Sequence, residues 1–335
     1  MKRIFSFTSI IILSILLFSY TLQVKPVSAN TENAKVVKLG GEAFGIRMFS
    51  DGVIVIEVEK SIPGSEEPSP AVIAGIEAND IIKKVNGKTL RCNEDFTNMI
   101  SQSNGNPLDL LIERNDKLLE TELIPQNDSQ GILRAGIWIK DSAAGIGTIT
   151  YYDTSNSTFG ALGHGICESG TGTLIPILYG EIATAEINDI TKSENGNVGS
   201  LNGYFNEDST GEVYCNSNCG IFGKYIAEPE SKAITVAEKE DVKIGDAEIY
   251  CTVNNNVKRA YDVRIKRLSN HGQDMMVVEI VDQELLALTG GIVQGMSGSP
   301  IVQNGKLVGA ITHVLVNNVK CGYGIYIEDM LEKSI

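Results

Sequence analysis

Gly290-Gly291-Ile292-Val293-Gln294-Gly295-Met296-Ser297-Gly298-Ser299-Pro300 is the most informative stretch of the chain. Gly295 permits a backbone turn that aims its own N–H and that of Ser297 at one point, where a developing oxyanion is held. Gly298 leaves space beside the serine. Pro300 suits the first residue of a strand, where a missing N–H is tolerated. Asn304-Gly305 then predicts a tight hairpin into Lys306–Val316. Taken alone, the same residues also describe a glycine-rich β-turn carrying an incidental serine.

A serine nucleophile needs a base, and the chain has 3 histidines. His164 stands in Phe159-Gly160-Ala161-Leu162-Gly163-His164-Gly165-Ile166, framed by glycines after a strand. A lone histidine so placed is more often structural, but beside a Ser297 loop it becomes the preferred base. His271, in Ser269-Asn270-His271-Gly272, reads as a hairpin tip. His313 falls on the next strand but one after the serine and is expected to border the substrate pocket. The Gly295-x-Ser297-Gly298-x-Pro300 pattern resembles the nucleophile loop of chymotrypsin-type proteases. A third member should be a carboxylate that fixes the base's tautomer. Asp282 ends a strand and also reads as an ordinary helix N-cap. Asp189, Asp246 and Asp262 are its rivals.

Upstream and downstream the pattern differs. From Ala135 to Ile335 short strands and turn signals alternate, with no helical period longer than about ten residues. This predicts an all-β double barrel or sandwich. Between Val36 and Gln126 the pattern is mixed α+β. Ala71-Val72-Ile73-Ala74-Gly75-Ile76-Glu77-Ala78-Asn79-Asp80-Ile81-Ile82-Lys83-Lys84-Val85-Asn86-Gly87 resembles a PDZ domain: a short helix, a buried strand and a type I′ turn. Asn93 is expected to cap its second helix. Phe44, Gly45 and Ile46 are expected to form the loop that meets a peptide's terminal carboxylate, with the peptide adding as a strand. The expected division is therefore 1–29, 36–126 PDZ-like and 135–335 peptidase-like.

Twenty-eight basic against 42 acidic residues give a net charge of −14. That balance argues against nucleic acid as a partner, because phosphate binding needs a basic face. Lys2 and Arg3 precede the apolar run Ile10–Phe18, and Val27-Ser28-Ala29 offers a cleavage site, so residues 1–29 read as an export signal or a retained anchor. Six cysteines (92, 167, 215, 219, 251 and 321) form no recognisable framework. Cys215 and Cys219 lack the companions of a metal site; small packed residues or one disulfide bridge suit them better.

With these pieces assembled, nearly the whole chain resembles the stage IV sporulation protein B (SpoIVB) family of serine peptidases. Gly160–Ile166, the run from Asp282 to Ile301, and Thr312-His313-Val314 carry the resemblance. It implies His164 as base, Ser297 as nucleophile and Asp282 as third member, with no metal or organic cofactor. Asp282 lies 15 residues before Ser297 and 118 after His164, unlike the usual chymotrypsin spacing. The resemblance also implies a protein exported into the space between the forespore membranes. It would cleave itself in trans near its N-terminus. It would then cut a membrane-bound regulator of a metalloprotease, signalling activation of the mother-cell sigma factor K. Its PDZ-like domain would recognise peptide tails, and its N-terminal segment would provide membrane association. The alternatives are a non-catalytic PDZ adaptor and a quality-control protease of the HtrA type, in which PDZ follows the protease.

Overall fold

Paired residues of positive φ set the hairpins. Asn86-Gly87 (51°, 74°), Asn115-Asp116 (50°, 60°) and Asn304-Gly305 (52°, 74°) have this backbone. Such type I′ turns match the right-handed twist of the strands they join. The computed structural model describes residues 34–168, 172–269 and 275–334. The expected export signal and His271 lie outside the described residues.

In chain order, the first part holds β1 (Val36–Leu39), β2 (Ala43–Val58), α1 (Pro70–Ile73), β3 (Ile81–Val85), β4 (Lys88–Thr89), α2 (Asn93–Gln102), β5 (Leu108–Arg114) and β6 (Lys117–Leu123). A two-stranded link of β7 (Gln126–Asn127) and β8 (Leu133–Arg134) follows. The second part holds β9 (Ile137–Asp153), β10 (Thr158–Ala161), β11 (Ile177–Thr191), β12 (Ser200–Ser217), β13 (Gly220–Tyr225) and β14 (Ala233–Val236). It continues through β15 (Gly245–Thr252), β16 (Lys258–Ser269), β17 (Met275–Ile280), α3 (Gln283–Thr289), β18 (Pro300–Gln303), β19 (Lys306–Val314), β20 (Cys321–Tyr326) and α4 (Ile327–Glu332).

The described residues are mainly β: an α+β part is followed by two closed β-rings. One ring of pairings runs β9–β10–β13–β12–β11–β2 and back to β9. The other runs β15–β16–β17–β20–β19–β18 and back to β15. Closure leaves neither ring with a free edge. Each encloses its own apolar core. Phe44, Ile46, Met48, Ile149, Phe159 and Ile221 fill the first, and Ile249, Val263, Val278, Ile301 and Ile311 belong to the second. β14 joins the barrels, antiparallel to β1 and parallel to β19.

The PDZ core is packed by Val53 and Val55 of β2 with Ile82, Phe96, Ile100, Leu110 and Ile112. Asp80 of the quoted motif is buried, and Arg114 grips it through Nε and Nη2 at 2.6 and 2.7 Å. The helix α2 has Cys92, not Asn93, at its N-cap; the Asn93 amide instead donates to Asp141 Oδ2 at 2.7 Å.

Phe44, Gly45 and Ile46 do not form a carboxylate-binding loop. They lie inside β2, where Phe44 pairs with Gly147 and Thr184, Gly45 with Ile146 and Ala183, and Ile46 with Gly145 and Ile182. Both ladder edges are taken, so no ligand strand can add there. Phe44 and Ile46 are core residues, and Gly45 is glycine because the Phe205 ring fills the place of a Cβ. The periodicity of this stretch is that of a strand buried on both faces, which sequence alone does not separate from a ligand-binding strand. The strand that lies outside β2 in the PDZ part is the beginning of β9. Its Ile137–Lys140 pairs with Ile54–Val58 of β2. Among the described residues its other edge has no strand partner, and α2 packs nearby.

Candidate active site

Ser297 sits in the loop between α3 and β18, at the seam of the two barrels. Neighbouring amides of the loop are tied down. Gln294, Met296, Gly298 and Ser299 donate to the carbonyls of Gly199, Val293, Ile311 and Met296 at 2.8, 3.2, 2.7 and 3.0 Å. Among the described residues the amides of Gly295 and Ser297 have no acceptor. Two free N–H groups flanking one residue beside a serine hydroxyl are what an oxyanion requires. Gly295 reaches this shape with φ of +100°.

The loop is fastened from the opposite barrel. Thr148 of β9 donates through its hydroxyl to Gly295 O at 2.8 Å and through its amide to Ser297 O at 2.9 Å. Thr150 donates to Gly298 O at 2.8 Å. Gly298 packs so closely that a Cβ would overlap the Thr148 carbonyl, and its φ is +94°. Ser299 is buried and its hydroxyl closes back on Met296 O at 2.6 Å, which leaves Ser297 as the accessible serine of the pair. Thr148 and Thr150 escaped notice in the sequence. Their signal is period two: in Gly147-Thr148-Ile149-Thr150 both hydroxyls share one face of a buried strand, where each needs a partner.

His164 follows β10 through a strained corner. Leu162 has φ of +67°, rare for a branched residue and characteristic of functional sites. The ring's Nδ1 lies 2.8 Å from Gly165 O. A carbonyl accepts only, so Nδ1 carries the hydrogen and Nε2 keeps a lone pair. Burial pushes the His164 pKa down to about 4, helped by His313 and opposed by the Gly165 bond. The His313 ring packs on it, centroids 4.4 Å apart and tilted 39°; burial lowers the His313 pKa too.

His164, Gly295 and Ser297 line one cavity of about 300 Å³, whose other walls include Ile46, Ala144, Ile146, Leu162 and Ile166. Ser297 Oγ donates to Thr312 O at 2.6 Å in this conformation.

Asp282 is not beside His164. Its Oδ1 accepts from the Leu285 amide at 2.8 Å and its Oδ2 from the Asp262 amide at 3.4 Å, so it is the N-cap of α3. The rivals are also elsewhere. Asp189 faces Asn202, Asp246 pairs with Arg264, and Asp262 is exposed on β16. The Gly165 carbonyl holds the ring nitrogen that a carboxylate would have held. The six cysteines are free thiols, so the alternative of a bridge is not realised.

Among solved structures, the Rv3671c protease from M. tuberculosis in its active form is 12% identical, with 57% of this chain and 74% of that chain covered and a TM-score of 0.35. The HtrA-type protease AlgW with decapeptide is 12% identical over 62% of this chain and 56% of its own, with a TM-score of 0.35. The PDZ domain of the SdrC-like protein Lmo2051 from Listeria monocytogenes is 21% identical over 27% of this chain and 87% of its own, with a TM-score of 0.23. Residues 36–124 match the PDZ domain family. Residues 131–331 match the SpoIVB peptidase S55 family, more than half of the 335 residues. The chain is a serine endopeptidase carrying a PDZ domain, and it belongs to the SpoIVB peptidase S55 family.

Proposed function

We propose that Ser297 attacks the peptide carbonyl, His164 takes its proton at Nε2 and returns it to the leaving amine, and the amides of Gly295 and Ser297 receive the oxyanion. The observation that carries this is the pair of unbonded amides beside a serine that shares its cavity with a tautomer-fixed histidine. Among the described residues the Nδ1 partner is Gly165 O rather than a carboxylate, so the imidazolium formed in the reaction draws its support from that carbonyl. A fluorophosphonate probe should label the wild-type protein and not Ser297→Ala. Labelling of Ser297→Ala would overturn the assignment.

Family membership supports the wider reading. The protein is an exported signalling peptidase of sporulation, working between the forespore membranes. It cleaves itself near its N-terminus and then cuts a membrane-bound regulator of a metalloprotease. Peptide tails bind the PDZ part at the outer edge of Ile137–Lys140, beside α2, because a strand edge free of partners is where an extended peptide adds. Mass-spectrometric mapping of N-termini in sporulating cells tests this: new N-termini on the protein and on one membrane regulator should vanish together in Ser297→Ala. Retention of both would overturn the signalling role.

A further inference from the structure

Among the described residues His164 has a single ring hydrogen bond, between Nδ1 and the carbonyl of the next residue. That bond fixes the tautomer and holds one edge of the ring. The face of the ring is covered by His313. His313 stands on β19, held between β18 and β20, and the pairing with β20 slips between Ile311 and Val314. Such an irregularity re-aims side chains and frees backbone groups from the ladder. Here it turns the Thr312 carbonyl to Ser297 and the His313 ring to His164. Thr312 is itself fixed, its hydroxyl donating to Tyr323 O at 3.2 Å. Two consecutive residues therefore touch the nucleophile and the base.

We propose that His313 is a positioning residue: as a neutral ring it packs on the face of His164 and holds that imidazole where Nε2 meets the Ser297 hydroxyl. This rests on the reading of His164 as the base. An uncharged ring is what the site needs there, because His164 becomes a cation when it takes the proton. A protonated His313 would instead oppose that charge. The charged and titratable groups that share the cavity with the two rings are Cys219 from the β12–β13 turn and Asp329, Glu332 and Lys333 from α4 and its end. Asp329 also lies 3.6 Å from Lys239.

The test uses His313→Ala, His313→Phe and His313→Lys in the full chain. Each is assayed with a soluble peptide for kcat and KM and with a fluorophosphonate for labelling rate. The small probe reads serine reactivity without peptide contacts. His313→Ala should lower kcat and the labelling rate at least about tenfold with KM changed by less than about twofold. His313→Phe, which keeps the ring and cannot be protonated, should recover most of both rates. Its acid limb should move to higher pH, since a repelling neighbour is gone. His313→Lys should be the slowest. A raised KM with unchanged kcat and labelling would make His313 a substrate contact and overturn the proposal. So would a Phe variant as slow as the Ala variant while its melting temperature matches wild type. His164→Ala serves as the separate control: full labelling there would remove the base assignment itself.

Discussion

The Asp282 carboxylate accepts the Leu285 amide at 2.8 Å and closes the first turn of α3, and this bond decides what the residue does. Asparagine caps a helix nearly as well as aspartate. Asp282→Asn should therefore keep kcat/KM within a few-fold of wild type, where a tautomer-fixing carboxylate would lose about 10⁴. Asp282→Ala should lower stability by about 1 kcal/mol through the lost cap. Steady-state kinetics and thermal melts check both. A thousandfold loss in the Asn variant, with the melt unchanged, would place Asp282 at His164 in the working enzyme.

Thr148 and Gly295 give a second test. Thr148→Val keeps the shape and removes the hydroxyl that holds Gly295 O. The Gly295 amide, proposed to receive the oxyanion, is then less well aimed. Since one such donor is worth about 10²–10³ in kcat, a loss of at least about tenfold with little change in KM is expected. Gly298→Ala should be worse. Its Cβ would overlap the Thr148 carbonyl at a φ of +94°, and a loss of about 2–4 kcal/mol in stability is expected from chemical denaturation.

With His164 as the proposed base, its burial sets the pH behaviour. The His164 pKa is about 4, against an ordinary value of 6.5. The base stays unprotonated well into mild acid, so the acid limb of kcat/KM should lie below pH 6.5. The same shift acts on folding. Unfolded chains bind a proton at His164 below pH 6.5 that the folded protein does not bind until about 4. Stability from this group is full above 6.5 and is lost as pH falls towards 4. His313, also lowered, acts in the same sense. Stability curves of wild type and His164→Gln should converge through that window. Parallel curves would show that the ring is solvated in solution.

Among the described residues the cavity beside Ser297 offers Ile46, Ile146, Leu162 and Ile166 and no charged side chain. Substrates should carry an aliphatic side chain next to the scissile bond. Ala144 lines the same wall, so Ala144→Asp should raise cleavage beside Lys or Arg relative to Leu by about tenfold, or ~1.4 kcal/mol. Positional scanning of a peptide library would show it. Unchanged preferences would move the specificity pocket elsewhere.

Much of this was legible before folding. The Ser297 loop, the glycine-framed His164 and the Asn-Gly hairpins rest on local backbone chemistry, which a sequence displays. Asp282 was misplaced because an N-cap and an orienting carboxylate are the same residue type; only its partner, the Leu285 amide, separates them. Phe44, Gly45 and Ile46 were misplaced for a different reason. Both neighbours of that strand, Gly145–Gly147 and Ile182–Thr184, come from about a hundred residues or more downstream. No local pattern announces a pairing of that range. The Gly165 carbonyl was equally hidden, since a backbone acceptor has no letter of its own.

β2 is one stave of the first barrel and, further along, one strand of the PDZ sheet; β9 returns beside it through both. Neither half is a bead on a string. Expressing 131–335 alone would leave a cask with a missing stave, with β9 and β11 each opened along one edge and the sites of Phe44, Ile46 and Met48 empty. Adding a peptide spanning 36–50 back to that fragment is the natural repair. The same carpentry limits any cut made near the N-terminus: it must fall before Ala43, where the stave β2 begins, or the first barrel loses it.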